Sequence, residues 1–237
     1  EDAGTHKAQL HLRSGGNDTL LYIDATSFYL TREDVLLFRL DASSRISLSN
    51  NDSGISNTVF GKSVGTIDSG TNYNTFIGDQ IAGSGTLANA TDNTALGYYV
   101  LNNLTSGVNN VAIGSTTMQM NTTGGTNVAV GMGSLRYNQT GINNVAIGTY
   151  SQRGVSSNSA SSNVSVGYQS LYAVTTGGAN TGVGQEVLKA ITIGQYNVAM
   201  GENALRTEDV GDFTTAIGYR AGYSQNSDTN NEDRSEE

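Results

Sequence analysis

The sequence predicts an all-β fold: a homotrimeric β-solenoid of about ten 17-residue coils, preceded by a β-rich segment. Three observations carry this expectation. A five-residue motif recurs ten times along the chain. The 237 residues hold 30 glycines and no proline, cysteine or tryptophan. Each repeat is also too short, and too poor in large apolar residues, to form an independent core.

The motif reads Asn, β-branched, small, apolar, Gly. Its copies begin with Asn57-Thr58-Val59-Phe60-Gly61, Asn74-Thr75-Phe76-Ile77-Gly78 and Asn93-Thr94-Ala95-Leu96-Gly97. Three near-identical units follow: Asn110-Val111-Ala112-Ile113-Gly114, Asn127-Val128-Ala129-Val130-Gly131 and Asn144-Val145-Ala146-Ile147-Gly148. The series closes with units ending at Gly167, Gly184 and Gly201, and with Thr214-Thr215-Ala216-Ile217-Gly218, where Thr replaces Asn. Successive motif glycines lie 17, 19, 17, 17, 17, 19, 17, 17 and 17 residues apart. Helical repeats need about 33–47 residues, so a coil this short reads as strand and turn.

Each motif position has an expected role. In an extended segment the second and fourth residues share a face, and their β-branched and apolar side chains predict that this face is buried. The small third residue then points away, toward another backbone. Asn at the first position can stack in a ladder of equivalents. The closing Gly suits positive φ or close packing. Four residues past the Gly stand Leu101, Met118, Leu135, Leu171, Leu188 and Leu205, and ten past it Gly107, Gly124, Gly141, Gly177, Gly194 and Gly211. This predicts a short second strand with one inward side chain, then a Gly turn back.

Such a coil buries two or three apolar side chains, each contributing about 1.5–3 kcal/mol, against about 1–2 kcal/mol of backbone entropy per residue. Stacking and association between chains must make up the difference. Three chains around an axis are an economical closed solution, because they bury the small-residue face of every coil. At about 4.8 Å per coil the stack would be roughly 45–50 Å long.

The repeated coils resemble the head repeats of trimeric autotransporter adhesins and similar repeats in bacteriophage tail fibres. The resemblance covers roughly 57–223. It implies side-by-side β-rolls of three chains, and the 17-residue unit is more similar to the tail-fibre version than to the shorter adhesin coil. The implied function is a structural and adhesive fibre segment, on the virion, contributing to binding of a host cell-surface glycan or protein receptor. The implied partners are two further copies, the receptor, and other fibre or baseplate proteins. The alternatives are a bacterial trimeric surface adhesin head, at the bacterial cell surface, and a capsule-polysaccharide depolymerase.

Three regions follow: 1–50, the repeat region 51–223, and an acidic terminal cap or junction, 224–237. In the first, Leu20-Leu21-Tyr22 and Leu36-Leu37-Phe38 each precede an Asp-Ala turn, a strand–turn duplication that resembles the shaft segments of phage fibres, the alternative being an unrelated small β domain. In the last, Glu232 and Arg234 fall at the second and fourth motif positions after Asn231 and end the register. Burying them unpaired would cost several kcal/mol.

Net charge is −9, split −2, −3 and −4 over the three regions. No basic patch is visible in the linear sequence, so a nucleic-acid partner is not expected. The only histidines are His6 and His11, so no histidine-centred chemistry fits the coils. No apolar run reaches membrane-spanning length. The chain opens on Glu1, which reads as a processed product. No cofactor or metal motif is present, and no enzyme is expected.

The carboxylates closest to a catalytic arrangement are Glu186 and Glu202, about 5 Å apart if they stack on adjacent coils. They read instead as surface acids partnered by Lys189 and Arg206. Candidate receptor contacts are Tyr98, Tyr168 and Tyr219, which directly follow motif glycines, and Tyr150, since tyrosine offers a ring face and a hydroxyl to a sugar. Two coils carry insertions, in 79–92 and 149–162, expected to bulge outward, and the second contributes Ser157 and Asn158 as further candidates.

Overall fold

The computed structural model describes strands within residues 6–47, and residues 56–68, 70–84, 86–155 and 158–224. The proposed junction lies outside the described residues apart from Ser224, and so does Ser157. Every regular element among them is a strand.

The first five are β1 (His6–Ser14), β2 (Asn17–Asp24), β3 (Ser27–Arg32), β4 (Val35–Asp41) and β5 (Ile46–Ser47). They pair in chain order as an antiparallel meander. The two duplicated Leu-Leu-aromatic runs are the cores of β2 and β4, with β3 between them.

The repeat region forms a parallel β-solenoid. Its strands are β6 (Thr58–Phe60), β8 (Thr75–Asp79), β10 (Thr94–Tyr98), β11 (Val111–Ser115), β12 (Val128–Val130), β13 (Val145–Ile147), β14 (Val164–Val166), β15 (Thr181–Val183), β16 (Val198–Met200) and β17 (Thr215–Ile217). These ten stack in sequence order into one sheet, giving nine full coils. The registers run motif on motif: Val111 faces Val128, Ala112 faces Ala129 and Ile113 faces Val130. A second sheet holds only β7 (Thr66–Ile67) and β9 (Thr86–Leu87).

The strand presents its faces in the sense opposite to that expected. The third residue is the buried one: Phe76, Ala95, Ala112, Ala129, Ala146 and Ala199 are all fully enclosed. The second and fourth residues are half-buried or exposed, Leu96 at 44% and Met200 at 47%. The reason is the thinness of the coil. The enclosed Leu or Met from the return path already fills the lumen, so the strand has room for little more than a methyl group there. At Gly182 even a methyl would meet Leu171 Cδ1 at 2.4 Å. The bulkier β-branched side chains must therefore face outward, and the small-residue face, expected between chains, lines the lumen instead.

The return path also differs from the expected second strand. Apart from β7 and β9 it is a series of turns, in which the second and fourth residues past the motif Gly have positive φ, as in Tyr99 (54°), Leu101 (49°), Glu186 (52°) and Leu188 (47°). The residue before each motif Asn does the same, as in Tyr73 (58°) and Asn109 (56°). Non-glycine residues enter this region at a cost of about 1–2 kcal/mol each. The curl brings their N–H groups to the carbonyls of neighbouring coils, as Leu101 N to Thr117 O (3.1 Å) and Tyr99 N to Asp79 O (3.0 Å). The Leu and Met side chains of this path point inward, as expected.

The asparagines form the expected ladder. Asn110 Oδ1 accepts from both the backbone N–H and the Nδ2 of Asn127, each at 3.1 Å. Asn110 Nδ2 donates to Asn93 Oδ1 (3.0 Å) and to the carbonyl of Gly124 (2.9 Å). Similar backbone rungs run from Asn57 to Thr214, whose N–H donates to Asn197 Oδ1 at 2.9 Å. The motif glycines are equally constrained: a Cβ on Gly97 (φ 139°) would sit 1.8 Å from the carbonyl oxygen of Gly114.

The apolar core is not continuous. One cluster reaches from Ile67 to Leu135 and Ala146, and a second begins at Leu171. Between them the interior is polar, with Asn138, Asn144, Ser151, Gln152, Asn158 and Ser165 all buried. Gln152 takes the place that Leu or Met fills in six other coils. Among the described residues, no helix is long and apolar enough to cross a membrane.

Candidate functional site

A 17-residue coil converts sequence spacing into columns on the surface. The fifth position past the motif Gly yields Asn102, Gln119, Arg136, Arg153, Tyr172, Lys189, Arg206 and Tyr223. Of the six basic residues between 51 and 223, four stand in this column. Counting charges along the chain concealed them, and aligning the repeats on their glycines would have shown them.

Arg153 is the centre of a cluster midway along the column. Its guanidinium lies over the rings of Tyr137 (4.7 Å), Tyr172 (5.3 Å) and Tyr150 (6.0 Å). It donates to the hydroxyl oxygens of Tyr172 (3.1 Å) and Tyr137 (3.4 Å). One coil below, Arg136 lies 5.3 Å from the Tyr137 ring, and its Nε donates to Gln119 Oε1 at 2.9 Å. Neither arginine has a carboxylate in ion-pair range among the described residues. Tyr150 has φ 56°, which lays its ring over Gly133, where a Cβ would come within 2.7 Å of Tyr150 Cδ1.

Three coils on from Arg136 and Arg153, the basic pair of this column meets an anion from the second position past the Gly. Glu186 pairs with Lys189 at 2.6 Å and with Arg206 Nε at 2.8 Å. Hydrogen bonds from Lys189 and then Arg206 hold the Glu186 carboxyl below the usual carboxylate range, and its bond raises the Arg206 guanidinium further. Arg206 also donates to Tyr223 Oη at 3.2 Å. Glu202 belongs elsewhere: it follows its motif Gly directly, opposite Gln185, whereas Glu186 is opposite Asn203. The two acids therefore stand in different columns, and the partners expected for Glu186 are those it has.

The remaining candidates are scattered. Tyr98, Tyr168 and Tyr219 are exposed and share the column directly after the Gly. They are four and three coils apart, about 19 and 14 Å, so they form no common site. Tyr98 packs edge-on against Tyr99 (4.6 Å, 77°), and partial burial, Tyr99 and Asp79 push its phenol upward. Asn158 is buried, donating to Val174 O at 2.7 Å and accepting from Ala160 N at 2.8 Å, so its side chain does not reach the surface.

The insertions are placed by the coil-to-coil hydrogen bonds. Ser84 N still bonds to Asn102 O eighteen residues on, whereas Ala88 N bonds to Thr105 O seventeen on. The first insertion therefore lies between Ser84 and Ala88, and it is tucked in: Leu87 is fully buried and β9 pairs with β7. In the second, Tyr137 N bonds to Arg153 O and Gln139 N to Asn158 O, placing the extra residues between Arg153 and Asn158. Val155 there is exposed. Arg153 thus stands at the base of this loop.

The motif strands offer a different surface. Their second and fourth residues form two parallel rows along the whole sheet, from Thr58 and Phe60 to Thr215 and Ile217, without one charged side chain. Comparison with known proteins returned no matching family model, curated protein or solved structure.

Proposed function

We propose that the chain is a structural and adhesive segment of a trimeric fibre, of the phage tail-fibre kind, projecting toward a host cell surface and contributing to receptor binding. The observation that supports this most is the pair of uncharged rows of Thr, Val, Ile, Leu, Met and Phe on the outer face of the ten-stranded sheet. Contiguous exposed apolar faces of this extent mark interaction surfaces. The occupant that fits is a further copy of the same chain. Every copy repeats its rows at the same strand spacing, so parallel copies meet rung for rung, and closed rotational symmetry buries the face of each. Three copies around an axis would display three identical outer surfaces, turning weak sugar contacts into avidity.

Light scattering on a sizing column tests the assembly. The expected mass is three chains in an elongated particle. Replacing Ile147 and Val130 together by Lys, both on the outer rows, should yield folded monomers. Labelled trimer should adsorb to host cells, and the monomeric variant should adsorb roughly a hundredfold more weakly. A wild-type chain that stays monomeric at high concentration would overturn the fibre reading.

A further inference from the structure

We propose that Arg136 and Arg153, framed by Tyr137, Tyr150 and Tyr172, bind a carboxylate-bearing sugar unit of a surface polysaccharide. The proposal rests on the adhesive reading above and names the ligand class.

The argument begins with an internal precedent. In the fifth-position column, Lys189 and Arg206 belong to successive coils and close around one carboxylate, that of Glu186. Arg136 and Arg153 occupy the same two places in successive coils. The residue equivalent to Glu186 is there Gly133, and the Tyr150 ring lies over it. The chain therefore builds the cationic half of the arrangement, fills the start of the Glu186 side chain's path with the Tyr150 ring, and leaves the anion to come from solvent. The two arginines stand on successive coils, their backbones one strand spacing of about 5 Å apart, and stacked like charges repel unless something negative joins them.

The donors match a carboxylate on a sugar. Arg136 commits only its Nε to a hydrogen bond, with Gln119, leaving both terminal nitrogens for a fork-to-fork pair with a planar carboxylate. Arg153 is held in place by three rings and donates to two phenol oxygens. Those phenols, having accepted from Arg153, keep their own O–H groups to donate toward sugar hydroxyls or the carboxylate. The ring margins give apolar surface for the sugar's C–H face. A second feature marks the same coil: it carries the insertion between Arg153 and Asn158 and interrupts the apolar core at Gln152. Local departures from an otherwise consistent repeat are where function is expected to reside.

The test is calorimetric titration of the full chain with tetragalacturonate, a pure oligouronate, alongside neutral dextran and dextran sulfate of similar size. Tetragalacturonate should bind, neutral dextran should not, and Arg153→Gln and Arg136→Gln should each weaken binding at least about tenfold. Far-UV circular dichroism and solution mass should match wild type. If Arg153→Gln loses the β-sheet spectrum, Arg136→Gln carries the test alone, since Arg136 makes one side-chain hydrogen bond. No heat up to about 10 mM oligouronate, or unchanged affinity in both variants, would overturn the proposal. Equal binding of dextran sulfate would overturn it too, showing attraction to charge without recognition of a carboxylated sugar. The two readings fail separately. A wild-type trimer that adsorbs to cells yet ignores tetragalacturonate refutes the site only, whereas a monomeric wild type refutes the fibre whatever the titration shows.

Discussion

Gln152 Nε2 donates to Asn144 Oδ1 over 2.9 Å, across the interior of a coil whose equivalents are closed by leucine or methionine. Its other amide atom, Oε1, is buried without a hydrogen-bond partner. The leucines at this position have the same backbone, with φ of 47–49° against 46° for Gln152. Leucine is close to glutamine in size. Gln152→Leu should therefore join the two apolar clusters and stabilise the chain by about 1 kcal/mol, raising Tm by roughly 2–4 °C. A thermal melt checks it, and a fall in Tm would mean that the polar interior is worth more than its unpaired atom costs.

The ladder predicts unequal losses along its length. Asn127 donates to Asn110 Oδ1 and Gly141 O, and accepts twice from Asn144, all inside the protein. Asn127→Ala strands several buried partners at about 1–3 kcal/mol each, so a loss near 3–5 kcal/mol is expected in urea unfolding. At the ladder's end, Thr214 takes its rung through its backbone N–H, so Thr214→Ala should cost under about 0.5 kcal/mol. Equal losses would show that the rungs do not depend on the asparagine side chains.

Motif glycines differ according to what lies beyond them. Gly97→Ala drives a methyl group into the carbonyl of Gly114, a rigid backbone neighbour, and should abolish soluble folded protein. Gly218 follows the last strand of the sheet, and among the described residues its nearest neighbour is Ala221 Cβ at 3.9 Å. Gly218→Ala then incurs only the strain of φ 131°, about 1–3 kcal/mol. Comparing soluble yield and unfolding midpoints of the two variants separates steric exclusion from backbone strain.

Acid should weaken the second half of the stack through Glu186. Its folded carboxyl titrates below the unfolded value of 4.5, because Lys189 and Arg206 bond to the charged form. A depressed acid contributes its full stability above the unfolded pKa. That contribution is lost as pH falls from about 4.5 through the lower folded value. Glu186→Gln should lower stability at pH 7 and leave it nearly unchanged at the acid end, so that the two pH profiles converge as pH falls through the lower folded value. Parallel profiles would show that the ion pairs contribute nothing to folding.

How much of this was legible in the sequence depends on scale. The period, the Asn ladder, the crowded Gly and the inward Leu of the return path followed from residue types at fixed spacing. The facing of the strand did not. Alternation shows that Val111 and Ile113 share a face, but not which face is the lumen, and the usual inference assigns the bulky side chains to the inside. Here Met118 and its equivalents fill the lumen from the other wall, leaving room only for Ala112. The Tyr98, Tyr168 and Tyr219 series was visible because each residue adjoins a motif glycine. The Arg153 cluster draws on residues from three successive coils, so no local window contains it.

Because each coil closes on the next through identical rungs, the stack behaves as a ruler graduated in whole turns. Excising residues 111–127 would join Asn110 to Val128, restore the Asn-Val-Ala motif at the junction, and leave every downstream column in line. The product would be shorter by one graduation, about 4.8 Å. Excising one residue fewer would displace every later side chain by a place and destroy the pairing. Reach is thus a heritable quantity that changes in fixed steps, and a gene built this way can lengthen or shorten its product without redesigning any contact.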